Sequence, residues 1–223
     1  MKITSVIFDF GCVLSQVPVP SDFDPVREAL GVDPHVFEEV YWRHRDQYDL
    51  DHFRTEEYWQ RVGQLAGVEL QPEEAMRLAD IDCRIWSREN PIMIEWLGQL
   101  RGEGLKVALI SNMSMHIGGH LLRTASWIVH CDPVCFSGEM KVLKPDPAIY
   151  RACLDRLGGT AAATLFIDDR EVNVITARRL GLNGIVFKSV DQLLDDLKPY
   201  GLANSLARAS TASRRSESFD AFA

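Results

Sequence analysis

Four short stretches carry the residues whose types and spacing could do chemistry. Val6-Ile7-Phe8-Asp9 runs three apolar residues into a carboxylate, and Ile110-Ser111-Asn112 closes a second apolar run with a hydroxyl. Lys144-Pro145-Asp146-Pro147 presents a lysine on a proline-stiffened loop, and Phe166-Ile167-Asp168-Asp169 ends a third run in adjacent acids, with Asn173 just beyond. A carboxylate can attack an electrophilic centre, while a lysine and a hydroxyl stabilise the charge that develops there. Asp9 is the candidate nucleophile. Each residue also has a plainer reading: an Asp after an apolar run forms turns, a Ser after a strand caps a helix, a lone Lys is solvated, and two acids mark a helix start.

The elements around these stretches decide between the readings. Ligand sites of open α/β sheets lie beyond the carboxyl ends of the strands, where all four polar groups fall if the apolar runs are strands. The first strand exits through polar, Pro-containing residues 15–20. Helical spacing, with Pro at the starts and Gly at several ends, then predicts four helices over residues 25–30, 34–48, 55–66 and 72–83. From residue 90 helices (91–100, 115–123, 147–157, 172–180) alternate with strands (106–110, 164–167, 184–187), and 127–129 and 134–136 are short extended segments. This alternation predicts an α/β fold, a doubly wound and mostly parallel sheet, with a small four-helix cap inserted after the first strand. The expected division is a core of residues 1–16 and 89–200, a cap of 17–88 and a disordered, Ser-, Ala- and Arg-rich tail of 201–223. In the cap, the stretch from Tyr41 to Asp49, with Tyr58-Trp59, is where substrate selection is expected, although most such aromatics pack helices together.

Composition bounds the partners. A net charge of −8 argues against a general nucleic-acid binder. No apolar run is long enough to span a membrane and residues 1–4 lack a secretory pattern, so a cytoplasmic protein with no membrane partner is expected, a monomer or homodimer. The five cysteines form no Cys-x-x-Cys pair, and none is followed six residues later by Arg, which leaves a cysteine phosphatase loop unsupported. Cys12 reads as a small filler in a crowded turn.

The order and spacing of Asp9, Ser111, Lys144 and Asp168-Asp169 resemble the haloacid dehalogenase-like hydrolase superfamily, in its branch with a helical cap. Within that branch the chain resembles small sugar-phosphate phosphatases and the phosphatase domain of soluble epoxide hydrolases. The resemblance implies a magnesium-dependent phosphatase of small phosphorylated metabolites that works through an aspartyl-phosphate on Asp9. It implies catalytic roles for Asp9, Lys144 and Ser111, and substrate contacts from Ser111, Asn112 and Lys144, with Arg45 and Trp42 added from the cap. It implies Mg²⁺ held by Asp9, the backbone carbonyl of Gly11 and Asp169, with Asp168 orienting metal-bound water, while Asn173 ties the loops together. Oxygen donors around a cation that keeps several waters suit this task.

One departure matters. Many members carry a second Asp two residues after the nucleophile as general acid and base, and here that residue is Gly11. Turnover is therefore expected to depend strongly on leaving-group pKa, with aryl, acyl or anomeric phosphates ahead of simple alkyl esters, unless another group, the cap being one source, supplies the proton. Two other functions share the scaffold: a haloacid dehalogenase, which needs no metal and so leaves the acidic pair unexplained, and a catalytically weak phosphate-binding regulator.

Overall fold

The computed structural model describes residues 2–220. Five strands, β1 (Ser5–Phe8), β2 (Lys106–Ser111), β3 (Val134–Phe136), β4 (Thr164–Asp168) and β5 (Asn183–Val186), pair in the order β3-β2-β1-β4-β5. Every pairing is parallel. Such a sheet is covered on both faces, which is why its strands are apolar on both. Val6 and Phe8 join one core with Val107, Leu109, Leu165 and Ile167, whereas Ile7 joins the opposite one with Ala108, Ile110 and Phe166.

Between β1 and β2 the chain forms α1 (Asp24–Leu30), α2 (Pro34–Trp42), α3 (Arg45–Asp49), α4 (Thr55–Leu65) and α5 (Pro72–Trp86), then α6 (Pro91–Gly102). The first five share their own apolar centre, built on Val26, Phe37, Tyr41, Tyr58, Trp59 and Leu78. The insert thus holds five α-helices and not four. The expected helix over 34–48 breaks at His44 (φ −121°, ψ 14°), and the restart turns Arg45, Tyr48 and Asp49 inward while Trp42 stays exposed. The last helix also continues past residue 83, to Trp86. The two chain crossings between sheet and insert lie side by side: Gln16 N–H donates to Arg88 O (2.7 Å) and Asn90 N–H to Leu14 O (2.7 Å).

After β2 come α7 (Met115–Thr124), α8 (Ser137–Met140), α9 (Pro147–Leu157), α10 (Glu171–Arg179), α11 (Val190–Asp196) and α12 (Ala203–Asp220). Residues 127–129, expected to be extended, lie in a short 3₁₀ turn (Ser126–His130). Its Trp127 stacks on Phe10 at 6.0 Å and donates its indole N–H to Glu89 (2.7 Å). A further correction concerns the tail. Residues 203–220 are helical, and Leu202, Leu206 and Ala209, spaced i, i+4, i+7, are buried in the same core as α6. Ser205 Oγ–H donates to Glu103 (2.9 Å), so polar composition here marks the outer face of a docked helix. The rest of the expected tail, residues 221–223, lies outside the described residues. Among the described residues no helix is long and apolar enough to cross a membrane.

Candidate active site

The strand order reverses direction at β1, with β2 and β3 on one side and β4 and β5 on the other. The crevice beyond β1 and β4 is therefore the topological switch point, and Asp9 and Asp168 stand there. Asp9 N–H extends the ladder by donating to Ile167 O (2.9 Å), which fixes the register of the two acids. Its Oδ1 accepts Phe10 N–H (2.6 Å) and lies 2.8 Å from Lys144 Nζ. The chain then turns sharply, closed by Ser15 N–H to Phe10 O (2.8 Å) and Cys12 N–H to Ser15 Oγ (3.0 Å). Cys12 sits in the left-handed region (φ 57°), a conformation that favours Gly or Asn. It is half-buried on the cavity wall, so the turn is less crowded than its sequence implied.

Lys144 is buried, with 1% of its side chain exposed, and its ammonium bridges Asp9 Oδ1 and Asp168 Oδ2 (2.7 Å). Burial alone lowers a lysine, but Asp168 and Asp9 outweigh it and hold Lys144 above its ordinary value. Burial pushes the Asp9 carboxyl up to about 7; Lys144 draws it down and Asp168 pushes it further up. Asn112 positions the lysine: its Oδ1 accepts Lys144 N–H (2.8 Å) and its Nδ2 donates to Lys144 O (2.9 Å). Both ends of the Asn112 carboxamide are thus anchored on the Lys144 backbone, which fixes Asn112 on the cavity wall.

The two adjacent acids have different surroundings. Asp168 is fully buried and accepts from Arg170 N–H (2.8 Å), Asn173 Nδ2 (2.9 and 3.1 Å) and Lys144. Asp169 is half-buried on the cavity wall, its carboxyl raised by burial and by Asp168. Carboxylate oxygens of Asp9, Asp168 and Asp169 lie within 4.8 Å of one another. Three acids around one lysine leave excess negative charge, and an all-oxygen donor set of this kind fits a hard divalent cation. Gly11 faces the same cavity.

That cavity, about 410 Å³, also takes in Ser111, Asn112 and Lys144 from the sheet side and Trp42, Arg45, Asp46, Asp49 and Trp86 from the insert. Asp9, Gly11, Trp42, Arg45, Ser111, Asn112, Lys144 and Asp169 are thereby brought to one space, with Asp168 beneath it. Arg45 differs from expectation in its company: it is buried and paired with Asp49 (3.0 Å) and Asp82 (3.0 Å), with Tyr41 OH beside them. Tyr41, Tyr48, Tyr58 and Trp59 pack the insert's centre and do not line the cavity. Trp86, Phe10, Met113 and Ile117, which do line it, carry no motif and were not legible as site residues.

Fold and site define a class: an α/β enzyme with carboxylates, a buried lysine and a strand-end serine gathered at the switch point of a parallel sheet. A model of the haloacid dehalogenase-like hydrolase family matches residues 27–181, and the chain belongs to that family. It is a hydrolase. Among curated relatives, Phosphatase MT3486 of Mycobacterium tuberculosis is 27% identical over 199 residues, covering 87% of this chain and 92% of that protein. Haloacid dehalogenase-like hydrolase domain-containing protein 3 of Danio rerio is 33% identical over 89 residues, 40% of this chain and 36% of that longer protein. Among solved structures, the HAD family enzyme BT-2542 of Bacteroides thetaiotaomicron superposes with a TM-score of 0.69 at 20% identity, covering 84% of this chain and 95% of that one. At that identity the likeness concerns the fold. The same enzyme has also been crystallised with magnesium and inorganic phosphate.

Proposed function

We propose that this hydrolase is a magnesium-dependent phosphatase of small phosphorylated metabolites that works through an aspartyl-phosphate on Asp9. The observation that carries the reading is the cluster of three carboxylates whose oxygens lie within 4.8 Å, with one of them, Asp9, also held 2.8 Å from a buried lysine. Asp9, Asp169 and the Gly11 carbonyl would hold Mg²⁺, and Asp168 would orient its water. When bound, the ion supplies positive charge between an attacking carboxylate and a phosphate dianion. The division of labour follows from hydrogen bonding, since Asp168 already accepts four bonds and Asp169 faces the cavity.

The chain's own residues do the remaining work. Lys144 holds Asp9 in place and places a fixed charge on the transferring group, which costs no reorganisation at the moment of reaction. Ser111, at the end of β2, offers its hydroxyl to the phosphoryl oxygens, and Asn112 offers its backbone N–H. Asn112 also locks the Lys144 loop to that of Ser111, so both arrive in one geometry. The insert roofs the site and limits water, and the exposed ring of Trp42 offers an apolar face to a sugar or another small leaving group. The name of the mycobacterial relative supports the phosphatase reading, and the magnesium and phosphate bound to the Bacteroides enzyme support the ligand assignment.

The test is release of inorganic phosphate from 4-nitrophenyl phosphate and a panel of sugar and nucleotide monophosphates. Activity that requires Mg²⁺ and disappears in Asp9→Asn is the expected result. Chloride release from 2-chloropropionate in EDTA, with no phosphate released, would overturn it in favour of a dehalogenase.

A further inference from the structure

Gly11 leaves the proposed reaction without a proton donor. An alkoxide leaving group must gain a proton as its bond to phosphorus breaks, and the water that later attacks must lose one. Four carboxyls line the cavity: Asp9, Asp46, Asp49 and Asp169. Asp9 is the nucleophile, Asp169 belongs to the oxygen cluster and Asp46 is exposed. Asp49 is buried and reaches the cavity from the helical insert, whereas Asp9 and Asp169 reach it from the sheet.

Asp49 is also held from both layers. Arg45 Nε–H donates to its Oδ1 (3.0 Å), and its backbone carbonyl accepts Ser137 Oγ–H (2.6 Å) from the sheet layer. The same Ser137 Oγ accepts Met113 N–H (2.9 Å), two residues beyond Ser111. The carboxyl is thus set in register with the loop proposed to hold the phosphate. Around it stand Arg45 and Asp46 of α3, Tyr58 of α4 and Asp82 of α5, with Lys141 of the sheet layer bonded to the carbonyls of Leu50 and Asp51. Burial pushes the Asp49 carboxyl up to about 6, Arg45 opposing and Asp82 adding, which leaves it able to exchange a proton near neutrality. At Gly11, a side-chain Cβ would meet nothing within 4 Å, so the space a local acid would fill is open.

We propose that Asp49 is the general acid and base of this enzyme, an inference that rests on the phosphatase reading above. In the first half-reaction Asp9 bonds to phosphorus, the ester P–O bond breaks, and the Asp49 carboxylic acid gives its proton to the departing oxygen. The alcohol leaves and Asp49 is ionised. In the second, water attacks the phosphorus of the aspartyl-phosphate, its proton passes to Asp49, and Asp9 departs as a carboxylate. Inorganic phosphate is released and both residues regain their starting state.

The experiment measures kcat/KM, with Mg²⁺, over substituted phenyl phosphates of graded leaving-group pKa and over alkyl phosphates. The wild type is expected to depend weakly on leaving-group pKa. Asp49→Asn should lose about 10²- to 10⁴-fold on alkyl esters but less than about tenfold on 4-nitrophenyl phosphate, whose leaving group needs no proton. Asp82→Asn removes a charge that helps keep the Asp49 carboxyl raised, and should lower activity on alkyl esters more than on 4-nitrophenyl phosphate, in the same sense as Asp49→Asn but by less. Gly11→Asp placed in the Asp49→Asn background should return part of the alkyl activity. Equal losses across the series for Asp49→Asn would overturn the assignment, and so would a steep wild-type dependence, which needs no variant to measure. No turnover of any phosphate ester by the wild type would sink the phosphatase reading first, and this inference with it.

Discussion

Replacing Lys144 by Met is the sharpest test of the buried site. The change keeps length and apolar volume but removes the ammonium that lies 2.8 Å from Asp9 and 2.7 Å from Asp168. At an effective dielectric of about 20 each contact is worth about 6 kcal/mol of Coulomb energy, most of it offset by the desolvation of Lys144 in the wild type. What the variant registers is two buried carboxylates left facing each other, a loss of about 3–5 kcal/mol for breaking such a pair. For a chain of this size that is a fall in Tm of about 10 °C. The loss should depend on pH. Without the lysine the Asp9 carboxyl, already raised to about 7, moves higher, and a carboxyl raised above its unfolded value stabilises the fold only while protonated. Its contribution is complete below about pH 4 and is lost as pH climbs toward the folded-state pKa. Urea unfolding in EDTA should therefore give a difference from wild type of about 4 kcal/mol at pH 8 and clearly less at pH 4.5. A difference under about 1 kcal/mol at pH 8, or the same difference at both pH values, would refute the reasoning.

Other outcomes follow from the same geometry. Asp169→Asn should weaken Mg²⁺ binding at least tenfold by calorimetry while leaving the urea midpoint within error, whereas Asp168→Asn should lower the midpoint because Lys144 and Arg170 N–H lose an ionised acceptor. Leu206→Ala should destabilise by about 2–5 kcal/mol, the range for truncating a fully buried leucine, although it lies outside the strands and the site. Cys12→Gly should be neutral or stabilising by up to about 1 kcal/mol in urea unfolding, because the left-handed backbone there suits Gly, and Cys12→Val should be destabilising. The Cys12 thiol, pushed up to about 12 chiefly by burial and then by Asp169, should react with iodoacetamide at pH 7.5 far more slowly than a free thiol, although it faces the cavity.

The placement of the candidate site was legible in the sequence because its residues hang on strand ends. A short apolar run fixes a strand, a parallel strand fixes the edge where its carboxyl end emerges, and Asp9, Ser111 and Asp168 follow directly. Lys144 was legible through its prolines. The cavity's other wall was not, because Trp86, Met113 and Ile117 have the same residue types as any helix interior, and only packing tells a lining residue from a core one. Arg45 shows the limit from the other side: its type suggested an anion ligand, but its two carboxylate partners come from positions 49 and 82, and the second pairing is long-range. The final helix was missed through composition, since Ser, Ala and Arg outweighed the three-residue apolar stripe of Leu202, Leu206 and Ala209.

The contact between Asp51 and α7 has a consequence for how the two layers part. Met115 N–H, at the first turn of α7, donates to Asp51 Oδ1 (3.0 Å), so this helix in the sheet layer is capped by a carboxylate from the insert. Asp51 holds a left-handed backbone (φ 53°) to reach it. Lifting the insert would bare that helix end, a penalty of about 1 kcal/mol for a lost cap, together with the Ser137 bond to Asp49. Both bonds favour the arrangement in which insert and sheet layer touch, so the insert that walls the cavity also finishes a helix of the opposite layer.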